Sequence, residues 1–335
     1  MANIAFPYMD LPKNAQKEIL RTMDHKDLFA FSTLSRKSKG LVASLNIPAL
    51  HLSVDVWEDR LKINMMFPEN TYLKLVFNLA KPNLRLLPLD GRHMLFSNGS
   101  YTTWRDPRIN SRELITHLCS IFNFSAPSKL VLCSRVEINR VEEVWDTLSD
   151  LLDYLFVTEN SESFVQKILN VLLPTLKKLI LYRATPLMGP IRFRHVAIQN
   201  LDALYLEHPI DLNDLLLCNS SIIGAIYNQI AQKTFNRFFR SWIKGSNRRL
   251  EYISFSLAVG EAADVNTLFK GIAYQVTPDS VERRVKKHVY ENMSAAWRRN
   301  LVTGGFEIRN KWGISATILL RRVNEISNVC MFVWN

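Results

Sequence analysis

One leucine phrase, L-x-x-L-x-L, keeps returning along this chain and sets the terms of its fold. With substitutions it reads Ile47-Leu50-Leu52, Leu84-Leu87-Leu89, Leu176-Leu179-Leu181, Leu201-Leu204-Leu206 and Leu250-Ile253-Phe255. The apparent strand centres Leu130, Leu155, Leu179 and Leu204 follow at steps of 25, 24 and 25 residues. A period of that size marks stacked units of one strand and one helical segment, none of which buries its apolar face alone. The helical segments fall between the strands: VEEVWDTLSDLL before Leu155, SFVQKILNVLL before Leu179, and DLNDLLL after Leu206, with Asp211 as its cap.

The clearest helix of the body is FNRFFRSWIKG. Phe235, Phe238, Phe239 and Trp242 recur at i, i+3, i+4 and i+7, an inward aromatic stripe that reads as core packing rather than a binding face. Gly245 stands at the expected stop, and LEYISFSL supplies the next strand. Leucine-rich repeats run ~20–29 residues, so the body is expected to be a leucine-rich-repeat-like strand–helix arc, although the Asn that closes each turn of such repeats is mostly missing. Val54 to Phe124 breaks the period; KINMMF, YLKLVF, LRLLPL and HMLF read as short strands between Pro and Gly turns, a β-rich shoulder. The end of the chain, FEIRNKWGISATILLRRVNEISNVCMFVW, reads as an antiparallel meander turning at Lys311-Trp312-Gly313 and covering the edge of the last repeat strand. The fold class is therefore α/β (mixed).

The first fifty residues form a separate pattern. Pro12 suits a first helical turn, and Ala15, Ile19, Leu20 and Met23 follow near helical spacing. Asp24 caps a second helix, with Asp27 three residues on and Leu28, Phe31 and Leu34 as its stripe. Ser35 starts a third, carrying Leu41, Val42 and Leu45. Three short helices of ~40 residues bury too little surface to stand alone. Either a partner or the rest of the chain must cover part of their apolar face.

Composition removes several classes of function. At 335 residues the chain suits two domains, or a short module plus a larger body, and its 47% hydrophobic and 22% charged content excludes wholesale disorder. The opening MANIAFPYMDLPKN has neither the basic start nor the apolar core of a secretory leader, and no apolar run reaches the ~20 residues of a membrane helix. The expected setting is cytoplasmic or nuclear, with no membrane partner. Cys119, Cys133, Cys218 and Cys330 form no CxxC pair and have no His at ligand spacing, which argues against a metal. Cys133 and Cys330 read as strand-embedded apolar residues. No phosphate-cradling glycine loop, nucleophile elbow or H-E-x-x-H pair occurs. The expectation is a non-catalytic protein without cofactors.

The charge of +11, from 42 Lys and Arg against 31 Asp and Glu, concentrates in two spans. Arg237, Arg240, Lys244, Arg248 and Arg249 form the first; Arg283, Arg284, Lys286, Lys287, Arg298 and Arg299 form the second. Because the aromatics of the first have the phase of a core, its cations are expected to form a basic, partner-facing surface that steers acidic partners. The competing reading is a basic nucleic-acid (RNA) binding scaffold.

Two segments carry a resemblance. Phe6-Pro7, Leu11-Pro12, Ile19-Leu20, Met23, Asp27-Leu28, Phe31-Ser32 and Leu34-Ser35 are spaced as in an F-box, with Ser38 standing where many F-boxes carry an aromatic residue. DLNDLLLCNSSII, FNRFFRSWIKGSNRRLEYISF, NTLFKGIAYQV and FEIRNKWGISATILLRR resemble, in order and gaps, the type-2 F-box-associated region of the F-box families expanded in nematodes. The resemblance implies a substrate-recognition subunit of a cullin–RING (SCF-type) ubiquitin ligase. A Skp-type adaptor would dock on or around Leu11, Pro12, Ile19, Leu20, Met23, Leu28 and Phe31, and the C-terminal region would bind a protein substrate. Together with the strand and repeat pattern, the resemblance gives three expected parts: an F-box three-helix module over 1–48, a β-rich connection over 49–125, and a leucine-rich-repeat-like substrate-binding region over 126–335, of which roughly 190–335 carries the resemblance. If Leu20 and Met23 face the adaptor, the free chain exposes apolar surface.

Overall fold

The computed structural model describes residues 8–58, 60–68, 71–78, 93–97, 100–104, 111–124, 128–133, 136–158, 162–182, 190–206, 210–257, 260–293, 300–323 and 326–334. The chain divides into two compact units, 1–153 and 154–335. Helices at the N-terminus are followed by extensive sheet, a mixed α/β architecture.

The first unit opens with a single 3₁₀ turn (Tyr8–Asp10), then α1 (Lys13–Arg21), α2 (His25–Ser32) and α3 (Arg36–Ala43). Each start has a local cause. Pro12 is the N-cap of α1, one residue before the first helical position. Buried Gln16 donates from Nε2 to the Leu11 carbonyl at 2.9 Å and receives at its own carbonyl the Tyr8 hydroxyl at 2.8 Å, fixing the turn onto the helix. The Asp24 carboxylate accepts from the Asp27 N–H at 2.8 Å, and the Ser35 hydroxyl from the Ser38 N–H at 3.0 Å. Side-chain caps of this kind stabilise a helix by about 1 kcal/mol each. Leu20, Leu28, Phe29 and Val42 close the centre. The Ser38 side chain is buried there too, its hydroxyl 2.8 Å from that of Ser35.

The strands β1 (His51–Val56), β2 (Arg60–Met66), β3 (Tyr72–Asn78), β4 (His93–Ser97) and β5 (Ser100–Trp104) pair consecutively as an antiparallel meander. The Leu84-Leu87-Leu89 phrase lies outside the described residues. The stretch from Val54 to Phe124 is not all strand and turn, however, since Ser111–Ile121 forms α4. Its apolar residues Leu114, Ile115, Leu118, Ile121 and Phe122 recur at helical phase and are buried, and this period outweighs the turn signals around it. After α4, β6 (Ser128–Leu132) adds parallel to the free side of β1, with Leu130 opposite Val54. Cys133 lies just beyond β6 rather than within it, and is buried. In α5 (Ile138–Leu148), Val141, Val144, Trp145 and Leu148 face inward. Arg112 of α4 forks onto Asp150 and the Thr147 carbonyl, tying the two helices at their ends.

The second unit turns the leucine phrase into a parallel ladder. β7 (Leu152–Thr158), α6 (Glu162–Leu172), β8 (Lys178–Tyr182), α7 (Pro190–Ala197), β9 (Ala203–Leu206), α8 (Leu212–Leu217), β10 (Ile222–Gln229), α9 (Gln232–Ile243) and β11 (Tyr252–Ser256) alternate without exception. Register places Leu155 opposite Leu179, Leu179 opposite Leu204, Leu204 opposite Ile223, and Ile223 opposite Ile253. The strand β10 carries no leucine phrase, and its centre comes nineteen residues after Leu204 and thirty before Ile253. Gly224 explains part of its composition. A Cβ there would lie 2.3 Å from the ring of Tyr205, which crosses from β9. The buried stripe of α9 packs on this leucine face, with Phe235 and Phe255 at 5.7 Å between ring centroids.

After α10 (Val265–Leu268) come β12 (Gln275–Arg284), α11 (Lys287–Asn292), β13 (Leu301–Arg309), β14 (Ser315–Val323) and β15 (Ile326–Trp334). The meander β13–β14–β15 returns to lie antiparallel on β11, covering the last parallel strand, and β12 adds outside β13. On the face opposite the leucines, Tyr205, Ile222, Tyr252 and Phe332 pack under Val285, Val289 and Met293 around α11. This stretch of sheet is therefore buried on both faces, which is why its strands read as continuous apolar runs.

Candidate functional site

The seven N-terminal site residues fall into two layers. Leu20 and Leu28 are wholly buried, so Leu20 does not face outward and offers no apolar surface. Pro12 and Ile19 are exposed, and Leu11, Met23 and Phe31 are half-buried. Tyr8 sets its ring edge-on to Phe31 at 5.3 Å, and Gln16 holds the Leu11 carbonyl, so the 3₁₀ turn, α1 and α2 share one outer surface. Leu34, just past α2, is 74% exposed and is the most open large apolar residue among those described on these helices.

The inner side of the module is fastened to the strands behind it. The His25 imidazole stacks on Phe67 with centroids 3.7 Å apart and meets the edge of Phe122 at 5.9 Å. Ser32 Oγ lies 2.7 Å from His117 Nε2 on α4, and Phe29 stands edge-on to the same imidazole at 6.0 Å. Burial lowers the pKa of both histidines. For His117 the nearby Lys39 charge adds to the effect and takes it to about 4, whereas for His25 the Asp24 carboxylate partly opposes it. Both rings are therefore neutral packing elements at pH 7. Their role was open to reading only in part: His117 follows Leu114 by three residues on the buried face of α4, but nothing in the sequence pairs it with Ser32.

The basic span of α9 is displayed as its helical phase dictates. Arg237, Arg240 and Lys244 point outward opposite the aromatic stripe. Arg248 is exposed, and half-buried Arg249 donates to the Asn219 carbonyl at 3.3 Å. None of these five has a carboxylate partner among the described residues. The second span differs. Arg283 and Arg309 both bind buried Glu307, and Lys286 and His288 both bind Glu251. Burial works to raise the Glu251 pKa, but hydrogen bonds from Lys286 and His288 outweigh it and hold the group below its ordinary value. Arg298 and Arg299 lie outside the described residues. In the second span Arg283 and Lys286 are thus engaged in bracing, whereas the first span presents its cations without carboxylate partners among the described residues.

Comparison with known proteins agrees with this geometry. An F-box domain model matches residues 9–49, the three-helix module, and an F-box associated model matches residues 192–255, from α7 to β11. The F-box associated domain-containing protein sdz-33 of Caenorhabditis elegans is 28% identical over 286 residues, covering 82% of this chain and 87% of its own length. No solved structure matches. The chain is thus similar to F-box proteins over residues 9–49 and to their F-box-associated region over residues 192–255.

No set of three or more His, Cys, Asp or Glu among the described residues is arranged to hold a metal ion. The cysteines are free thiols, and burial raises Cys119 to about 11 and Cys218 to about 12, the wrong direction for a nucleophile. Asp55 is the most unusual carboxylate. Burial raises its pKa although Ser53 and Asn64 donate to it at 2.9 and 2.8 Å and Lys129 and Lys62 lie nearby. Those partners brace the β1–β2–β6 surface. Among the described residues no helix is long and apolar enough to cross a membrane.

Proposed function

We propose that this chain is an F-box protein and a substrate-recognition subunit of a cullin–RING (SCF-type) ubiquitin ligase, acting in the cytoplasm or nucleus. Residues 1–48 dock on a Skp-type adaptor, and through it a cullin, while 126–335 hold a protein substrate. The observation that carries this reading is the coincidence of the F-box match at 9–49 with a three-helix module. Its inner side is anchored by His25, Phe29 and Ser32, while Pro12, Ile19 and Leu34 remain outside. The chain itself does no bond-making. It contributes proximity, raising the effective concentration of a target near a ubiquitin-loaded partner.

Co-expression with a tagged Skp-type adaptor tests this. The chain should co-purify at 1 M salt, to an order of magnitude, because an apolar contact is little screened. The Leu11/Pro12 double-alanine variant should be lost from the complex while staying soluble and folded. Failure of the folded wild-type chain to co-purify would remove the ligase role.

A further inference from the structure

We propose that the substrate-reading surface lies on two adjoining clefts that share Arg248, and that it takes an acidic peptide segment carrying an apolar anchor. This rests on the substrate-adaptor reading above and deepens it. The first cleft, about 200 Å³, is lined by Trp242, Arg248, Leu250, Asn310, Trp312 and Ile314 among others. The second, about 350 Å³, includes Ile198, Leu216, Leu217, Asn247 and again Arg248. Trp312, Ile198 and Leu217 are 44%, 54% and 40% exposed, so three large apolar side chains flank one arginine on an open surface.

The surface is held rigid from beneath. Buried Asn310 accepts at Oδ1 from the N–H groups of both Trp312 and Ile314, each at 3.0 Å. The Lys311 N–H donates to the Ile243 carbonyl at 2.9 Å, so the β13–β14 turn is clamped to the end of α9. Trp312 then lies over Gly245, where φ is +104° and a Cβ would come within 2.5 Å of the indole. The cations of Arg248 and Lys311 stack on that indole, each 4.7 Å from its centroid. A tryptophan and an arginine fixed this way lose little entropy on binding, and they are the residue types enriched at interface hot spots.

Charge selects the occupant. Among the described residues no acidic side chain lines either cleft, while Arg248, with Lys311 on its turn and Lys244 and Arg249 close in sequence, supplies positive charge. Asp214, on the same helix as Leu217, lines neither cleft; burial and the Asp211 charge raise its pKa, and Arg194 opposes them only in part. A strand of nucleic acid would also meet positive charge, but base stacking needs an open aromatic face, and the Trp312 indole already carries two cations. Exposed Ile198 and Leu217 further suit a side-chain anchor rather than a phosphate chain.

The test uses the full chain purified with its Skp-type adaptor and an array of immobilised octapeptides, Glu-Glu-Φ-Glu-Glu-Φ-Glu-Glu, with Φ as Leu, Ile, Phe, Trp or Met. The same peptides with Lys for Glu are the control, and a twelve-residue oligouridine is the competitor. At least one acidic peptide should bind about ten-fold more tightly than its Lys counterpart, and Arg248→Glu and Trp312→Ala should each weaken it about ten-fold. Adaptor co-purification should be unchanged. No acidic preference, insensitivity to the exposed Arg248→Glu change in a chain of unaltered melting temperature, or displacement by oligouridine at lower concentration than by free acidic peptide would each overturn the proposal. Arg248-dependent peptide binding by a chain that fails to hold the adaptor would overturn the ligase reading and leave the cleft assignment standing.

Discussion

Acidification should loosen the seat of the F-box module, and His117 makes the effect calculable. The ordinary imidazole pKa is 6.5 and the folded value about 4, because burial and the Lys39 charge both disfavour the cation. Above pH 6.5 the ring is neutral in both folded and unfolded chains, so no stability is lost. As pH falls from 6.5 towards 4 the unfolded chain takes up a proton that the folded one refuses, and stability declines through that window. At pH 5 those two values set a ceiling of about 2 kcal/mol by linkage. The ring is partly open to water, so solvent screening reduces this to about 1 kcal/mol. His25, also lowered mainly by burial, acts in the same direction.

The measurement is hydrogen exchange at the amides of α2 and α4, at pH 7 and pH 5, corrected for intrinsic rates. The comparison is wild type against His117→Gln, which keeps a hydrogen-bonding end for Ser32 but cannot titrate in this range. Protection of both helices should fall at pH 5 by about 1 kcal/mol more in the wild type than in the variant. Equal losses in the two proteins, or a larger loss in the variant, would refute the claim that a neutral His117 holds α4 to α2.

Leu20→Ala, a deletion from the module core, should lower stability by about 2–5 kcal/mol, whereas Ile19→Ala should leave the melting temperature nearly unchanged and instead weaken adaptor capture. Gly245→Ala meets both an unfavourable φ of +104° and the Trp312 indole; thermal unfolding should show a loss of about 1–3 kcal/mol. Glu307→Ala frees Arg283 and Arg309, which already reach water, and urea denaturation should register a loss of about 1 kcal/mol.

Much of the second unit was legible because its leucines do two jobs. They fix the period, and in register they meet face to face as Leu155, Leu179 and Leu204. Helix caps were equally plain, since Asp24, Ser35 and Asp211 each bond to an N–H three residues on. What stayed hidden follows from the same logic. The strand β10 lacks the phrase because Ser220 and Ala225 stand where its first and last leucines would fall, Ala225 opposite Leu206, so only the register with β9 reveals the strand. The helix α4 was obscured by the turn-rich stretch that precedes it, although its apolar phase was there to be read. Trp312 looks like a turn residue because its cation partner Arg248 is sixty-four positions away along the chain.

Burial also separates what a spacing match cannot. The F-box spacing treats Ile19 and Leu20 as one apolar pair, yet one is exposed and the other sits in the core. A module whose inner face were free would need the adaptor in order to fold, and adaptor binding and stability would then be lost together. Here that face already rests on Phe67, Phe122 and His117, so the module is held by its own chain before any partner arrives. Adaptor affinity and folding can therefore be changed separately. Substitutions at Pro12 and Ile19 should act on the complex alone, and substitutions at Leu20 and Leu28 should act on the complex only through the fold.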